Sequence, residues 1–295
     1  MRRFLSIYLA CCLILTGGFF YSVAALEVSG TVYEDANGNG AFDKDEKPLQ
    51  GVVVSDGETV TVSGPEGTYE LKMAPAGIVF VSVPGTHHAQ DNRFYRAIDK
   101  KLTTADFPLR KNEGAVGTEF TFVFASDTHV GFIRNAREGT AKAYDSLMAL
   151  RPELVIHGGD IILDALKTDQ ELAEKQYELY VNELAPMIPV PLYHTLGNHD
   201  IFGWISLPNP KPAPALYGKK MYEKHFGPRY YSFNYNHCHF VVLDTVARGK
   251  LTNGDVGYYG FVGREQLGWL RKDLQHVGAS QPVILVTHIP TSNAL

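Results

Sequence analysis

The sequence predicts a layered α/β domain preceded by a separate all-β sandwich. Short runs rich in Val, Thr and Tyr, broken by Gly, Pro, Asn and Asp, fill residues 27–108, and no stretch there has helical period. From about residue 118 onward, apolar strand patterns alternate with amphipathic helical ones, as in folds that cover a sheet with helices. A length of 295 residues suits two such domains.

The elements follow in chain order. Arg2 and Arg3 open the chain, and the 22 residues Phe4 to Ala25 carry no charge and end in Ser22-Val23-Ala24-Ala25. This is the pattern of a signal peptide over residues 1–25, cleaved after Ala24 or Ala25. An uncleaved anchor is the alternative, because 22 uncharged residues just span a bilayer. Membrane contact is expected only in that second case. Either way the remainder is expected outside the cytoplasm, as a periplasmic, secreted or cell-surface protein. Two of the three Cys lie in this segment, leaving Cys238 as a small buried hydrophobe and no internal disulfide. A formal net charge of -5 argues against sequence-independent nucleic-acid binding, which needs clustered cations.

The β domain, residues 26–108, is expected to use Glu27–Tyr33, Val52–Ser55, Thr59–Ser63, Thr68–Leu71 and Ile78–Val83 as strands. Between the first two, Asp35, Asn37, Asn39, Asp43 and Glu46 place oxygen side chains at positions 1, 3, 5, 9 and 12 of a loop with Gly40 at position 6. Hard oxygen ligands at that spacing suit calcium. No helices flank the loop, and with Lys47-Pro48-Leu49-Gln50-Gly51 it resembles the calcium loops of surface-adhesin β-sandwich repeats. An ion-free Asx turn is the other reading. Residues 109–117 are polar and Gly-containing and read as a linker.

In the second domain, 118–295, strands are expected at Glu119–Ala125, Leu154–His157, Val190–Thr195, Tyr230–Phe233, His239–Asp244 and Val283–Thr287. Helices are expected at Ala136–Leu150, Asp169–Ala185 and Arg264–His276. Polar blocks stand at four strand ends: Ser126-Asp127-Thr128-His129, Gly158-Gly159-Asp160, Gly197-Asn198-His199-Asp200, and Thr287-His288. Ligand groups in α/β folds gather beyond the carboxyl ends of strands. Imidazole and carboxylate without thiolate suit Mn, Fe or Zn. No Gly-rich nucleotide loop is present in the sequence.

These four blocks, in this order, resemble the calcineurin-like metallophosphoesterase family. Phe226-Gly227-Pro228-Arg229-Tyr230, Val242-Leu243-Asp244 and Glu265-Gln266-Leu267-Gly268-Trp269 agree with it. The resemblance implies a metallophosphoesterase-type β-sandwich flanked by helices and a hydrolase of phosphate mono- or diesters, with two divalent metal ions activating a hydroxide, and the N-terminal segment adds the expectation that it is exported. It implies that Asp127 and His129 hold one metal, Asp160 bridges, and Asn198 and His288 hold the other. His199 would protonate the leaving oxygen or stabilise its charge, and Asp200 would orient His199. The family also uses a Gly-His-x-His motif after the histidine of the fourth block, and no such motif follows His288. The domain is therefore expected to be incomplete at its C-terminus, as part of a longer protein. A non-catalytic binding or adhesion protein, or an inactive fragment, is the alternative. Leu163 stands where the family often has an acid and where a purple acid phosphatase, which resembles this family, needs a Tyr ligand, so it argues against a purple acid phosphatase. His157, His194, His225, His237, His239 and Asp244 read as core, hairpin or bracing residues. The Pro-rich stretch Trp204–Tyr217 reads as a loop that selects the substrate.

Overall fold

A computed structural model describes residues 25–74, 77–112, 119–250 and 254–291. Apart from Ala25, the expected signal segment lies outside the described residues. No helix among the described residues is long and apolar enough to cross a membrane.

The N-terminal unit consists of β1 (Leu26–Glu34), β2 (Lys47–Pro48), β3 (Val53–Ser55), β4 (Val60–Val62), β5 (Thr68–Met73), β6 (Gly77–Val81), β7 (His87–Ala89), β8 (Tyr95–Ile98) and β9 (Phe107–Lys111). They form two facing sheets. One has the order β2-β1-β9-β7, with β5 also paired to β1; the other has the order β4-β3-β6-β8. β5 shows why: Tyr69, Leu71 and Met73 are buried while Thr68, Glu70 and Lys72 face solvent, the period-2 pattern of a half-buried strand. The all-β expectation holds. β9 runs to Lys111, so Leu109–Lys111 are strand where the sequence reads as linker, and residues 113–118 lie outside the described residues.

The second unit contains β10 (Phe122–Ala125), α1 (Ala136–Met148), β11 (Leu154–His157), α2 (Gln170–Leu179), β12 (Leu192–His194), α3 (Lys220–Phe226), β13 (Tyr231–Tyr235), β14 (Cys238–Val242), β15 (Val246–Lys250), β16 (Val256–Gly260), α4 (Arg264–Asp273) and β17 (Val283–Val286). β10, β11 and β12 form a parallel sheet, and β13-β14-β17 a mixed one. Asp169 caps α2 by accepting the Leu172 N–H. The mixed α/β architecture agrees with the sequence expectation.

The two units are less separate than the sequence implies. One buried cluster joins Val54, Phe80 and Phe107 of the sandwich to Phe233, Phe240 and Trp269 of the second unit. The Trp269 ring on α4 meets Phe80 edge-on at 6.1 Å, and Phe94 packs on Tyr231 at 4.7 Å. Hydrophobic patterning marks these residues as core but does not say that their core is shared. A second cluster beneath α1 and α2, including Tyr177, Tyr180 and Leu196, supports the loops that follow β11 and β12.

Candidate metal centre

The site is assembled by strand register. Ala125, His157 and His194 stand side by side at the carboxyl ends of β10, β11 and β12, so the loops that follow share one rim. β17 runs parallel to β14 and delivers His288 to the same place. Hydrogen bonds knit these loops together. Asp127 N donates to Gly159 O at 3.0 Å, His129 N to Asp160 O at 3.1 Å, and His199 N to Asp160 Oδ1 at 2.8 Å.

The backbone there is unusual. Asp127, His129 and Asp160 have φ of 59°, 44° and 51°, the left-handed region that side-chain-bearing residues seldom adopt. Such conformations persist where surrounding structure over-determines them, and they cluster at functional sites. Gly197 is needed for contact of another kind: a Cβ there would lie 2.0 Å from Asp160 N.

Ligand atoms of His129, Asp160 and His199 lie within 4.8 Å of one another, and so do those of Asp127, Asp160 and His288. Asp160 belongs to both groups. His129 Nε2 is 3.7 Å from Asp127 Oδ1 and 3.8 Å from Asp160 Oδ2. His288 Nδ1 donates to Gly158 O at 2.9 Å, which turns Nε2 toward Asn198 Oδ1 at 3.2 Å and Asp160 Oδ1 at 3.3 Å. Those three atoms are all natural lone-pair donors, and a proton or a cation must sit among them. Burial opposes charge on His288, but Asp160 outweighs it and holds the imidazole up at about 8. Burial likewise opposes charge on Asp160, yet hydrogen bonds from His288 and His199 N leave its carboxyl below the usual range. The donor set is imidazole, carboxylate and amide oxygen around a favoured positive charge, and it fits divalent transition metals.

All the residues expected at this centre are brought together, but Asp200 does not play the part expected of it. The His199 ring is oriented by Leu163, whose carbonyl accepts from Nδ1 at 2.8 Å. The Asp200 carboxylate is buried and accepts backbone N–H groups of Ile161, Ile162 and Gly197 instead. It holds the loop after β11 to the loop after β12. Burial, with the charge of Asp160, raises its carboxyl to about 7.

The other histidines that the sequence singles out in this domain lie outside the two donor groups. Gly159 N donates to His157 Nδ1, so His157 Nε2 donates to Thr128 Oγ1 at 2.9 Å, and Thr128 in turn donates to Ile161 O. Burial lowers His157 to about 3, and it stays neutral. His194 is hydrogen-bonded to Tyr180. His225 closes α3 beside Glu174, and His239 lies buried against Asp273. His237 sits between β13 and β14 and is exposed. Asp244 braces Lys219 and Arg229.

In the Asp35–Glu46 loop the side-chain oxygens accept internal N–H donors. Asp35 accepts from Gly38 N and Gly40 N, Asp43 from the Asn37 and Asn39 amides, and Glu46 from Ala36 N and Asp43 N. A cavity of about 1210 Å³ lies at the junction of the two units, lined by Asn92, Arg93, Tyr95, Leu192 and His225, and none of the candidate ligands lines it.

Sequence reasoning missed the hairpin of β15 and β16. Its Gly260 packs against Pro290, just past His288, and its Arg248 donates to Pro208 O at 2.6 Å and Tyr217 Oη at 3.1 Å. The Asn253-Gly254 pair between two strand-like runs is the signal that could have found it.

Comparison with known proteins gives the following likenesses. The family model described as N terminal of Calcineurin-like phosphoesterase matches residues 36–112, and that described as Calcineurin-like phosphoesterase matches residues 120–294. Comparison with curated proteins gives no match. Among solved structures, a dimetal phosphatase from Danio rerio is 18% identical, covering 58% of this chain and 70% of that one at a TM-score of 0.41. A purple acid phosphatase from yellow lupin, Lupinus luteus, is 14% identical, covering 89% of this chain and 46% of that one at a TM-score of 0.39. The shaft pilin SpaA of Lactobacillus rhamnosus GG is 11% identical, covering 35% and 55% at 0.23. The match over residues 120–294 spans more than half of the chain, which belongs to the calcineurin-like phosphoesterase family.

Proposed function

We propose that this chain is an exported metal-dependent phosphoesterase that hydrolyses a phosphate mono- or diester at the rim between β10, β11, β12 and β17. One observation carries the reading: two three-residue donor groups share the Asp160 carboxylate. By the family pattern, Asp127 and His129, 3.7 Å apart, would hold one divalent ion, Asn198 and His288, 3.2 Å apart, the other, and Asp160 both, although distance alone groups His129 with His199 and Asp127 with His288. Ions of the Mn, Fe or Zn type bound there would polarise the phosphoryl oxygens and lower the pKa of water toward neutrality. His199 has Nδ1 committed to Leu163 O, which leaves Nε2 to give a proton to the departing oxygen. Asp200 keeps Asn198 and His199 in register with Asp160 through the main chain. The charged start at Arg2 and Arg3 and the uncharged run to Ala25 support export.

The test is hydrolysis of p-nitrophenyl phosphate and bis-p-nitrophenyl phosphate after loading with Mn, Fe or Zn, with elemental analysis of the same sample. Bound metal together with hydrolysis is the expected result. Bound metal without hydrolysis of either ester would overturn the reading in favour of a binding protein.

A further inference from the structure

The hairpin of β15 and β16 has a face that the proposed reaction leaves unused. Arg248 and Tyr258 are directly paired across it, so their side chains stand on the same side. Val246 and Gly260, also paired, lie on that side too; Val246 is buried in the core beneath the site, and Gly260 abuts Pro290. The base of the hairpin is pinned: Phe261 N donates to Thr245 O at 3.0 Å, and Ile289 N to Thr245 Oγ1 at 3.0 Å. Arg248 ties the same face to the Pro-rich loop at Pro208 and Tyr217. Tyr258 is therefore carried on an arm tied to the segment that carries His288 and to the Pro-rich segment that follows Asp200. Burial, with the charges of Asp160 and Asp164, raises its phenol, so the hydroxyl stays protonated. Tyr258 is 36% exposed. Phe132 and Ile133, three and four residues after His129 in the chain, are 62% and 56% exposed. Exposed rings and aliphatic groups beside a polar metal centre suit a substrate whose ester group is polar at one end and flat and apolar at the other.

We propose that Tyr258 is the residue that selects the alcohol part of the substrate, and that the preferred phosphate ester carries a flat ring, aryl or heterocyclic, which stacks on it. The inference rests on the phosphoesterase reading and adds the substrate class to it. Stacking on an aromatic side chain is sequence- and substituent-tolerant and is worth about tenfold or more in affinity. Arg248 holds the arm in place and does not itself contact the ring.

Binding tests this without relying on turnover. The metal-loaded protein is titrated with phenylphosphonate and with methylphosphonate by calorimetry, as wild type, Tyr258→Phe and Tyr258→Ala. The wild type is expected to favour the phenyl compound by about tenfold, Tyr258→Phe to keep that preference, and Tyr258→Ala to reduce it to within about twofold while methylphosphonate affinity holds. Equal affinity of the wild type for both compounds, or a preference that survives in Tyr258→Ala, would overturn ring recognition. Hydrolysis of phenyl phosphate and glycerol phosphate by the wild type is measured alongside. Activity on either ester with no phenyl preference in binding removes the ring proposal alone. Metal-loaded wild type that hydrolyses neither removes the phosphoesterase reading and this proposal with it.

Discussion

Asp160 grips His199 through the main chain: its Oδ1 accepts the His199 N–H at 2.8 Å, while Oδ2 lies 3.8 Å from His129. One carboxylate thus spans the loops after β10, β11 and β12. Replacing it with Asn separates its two duties. Asn keeps an oxygen for His199 N, so the loops stay joined, but the charge that two cations would share is gone. Asp160→Asn is expected to fold with an unchanged circular dichroism spectrum, to lose at least half of the bound metal, and to hydrolyse p-nitrophenyl phosphate at least about a hundredfold more slowly. Full metal content in the variant would show that Asp160 is not a shared ligand.

Asp200 is expected to matter for stability before chemistry. Removing its carboxylate strands three buried N–H groups, those of Ile161, Ile162 and Gly197. Leaving buried donors unsatisfied costs about 1–3 kcal/mol each at most, with partial relief by rearrangement. Asp200→Ala should lose about 3 kcal/mol in urea unfolding, and Asp200→Asn less than half of that, since its amide oxygen still accepts. If Asp200 instead acted through the His199 ring, both variants would be as stable as the wild type and slow only in turnover.

Acid should loosen the contact between α2 and α3. Burial lowers His225 from the usual 6.5 despite its hydrogen bond to Glu174 at 2.9 Å. Burial pushes Glu174 up, but hydrogen bonds from Lys224 and His225 outweigh it and leave the carboxyl below 4.5. Both folded values are depressed, so in both cases the unfolded chain takes up protons first as pH falls. Stability is complete above about 6.5, declines as the His225 contribution is lost below that, and declines further below 4.5 as Glu174 loses its partners. The melting temperature should therefore fall from pH 7 toward pH 4, and Glu174→Gln should flatten the lower part of that curve. A curve unchanged by the substitution would assign acid sensitivity to other groups.

The candidate metal centre was legible in the sequence because each of its blocks follows a short apolar run that reads as a strand, although β10 and β17 leave Phe124 and Leu285 exposed. Parallel register then aligned Asp127, Asp160 and Asn198 without further information. The role of Asp200 was not legible, because its partners are backbone N–H groups, which every residue but Pro has. The hairpin of β15 and β16 escaped notice because Val246-Ala247-Arg248-Gly249-Lys250 has only two apolar side chains, followed by one glycine between two charged residues. Beyond the buried Val246, its strands are defined by pairing to each other and by Arg248 reaching the Pro-rich loop. Trp269 was visible as part of an amphipathic helix, but its partner Phe80, far away in sequence, was not.

That partnership leads to the last expectation. Trp269 is 1% exposed and sits between Phe80 of the sandwich and Tyr230 of the second unit. Polar contacts cross the same boundary: Ser232 Oγ, whose proton goes to Asp273 within the second unit, lies 3.0 Å from Ser82 Oγ of the sandwich, and Leu192 N donates to Asn92 at 3.1 Å. Two units that share a core and buried hydrogen bonds cannot unfold separately without exposing apolar surface on both. Calorimetry should show one transition whose measured enthalpy equals its van't Hoff value. Trp269→Ala should lower stability by about 3–5 kcal/mol, the cost of removing a large buried ring. It should move the single transition downward as a whole, because the cavity it leaves is lined by both units. Two resolved transitions in the wild type, with only one of them shifted in the variant, would mean that the sandwich is an independent module and that the contact with Trp269 is incidental to folding.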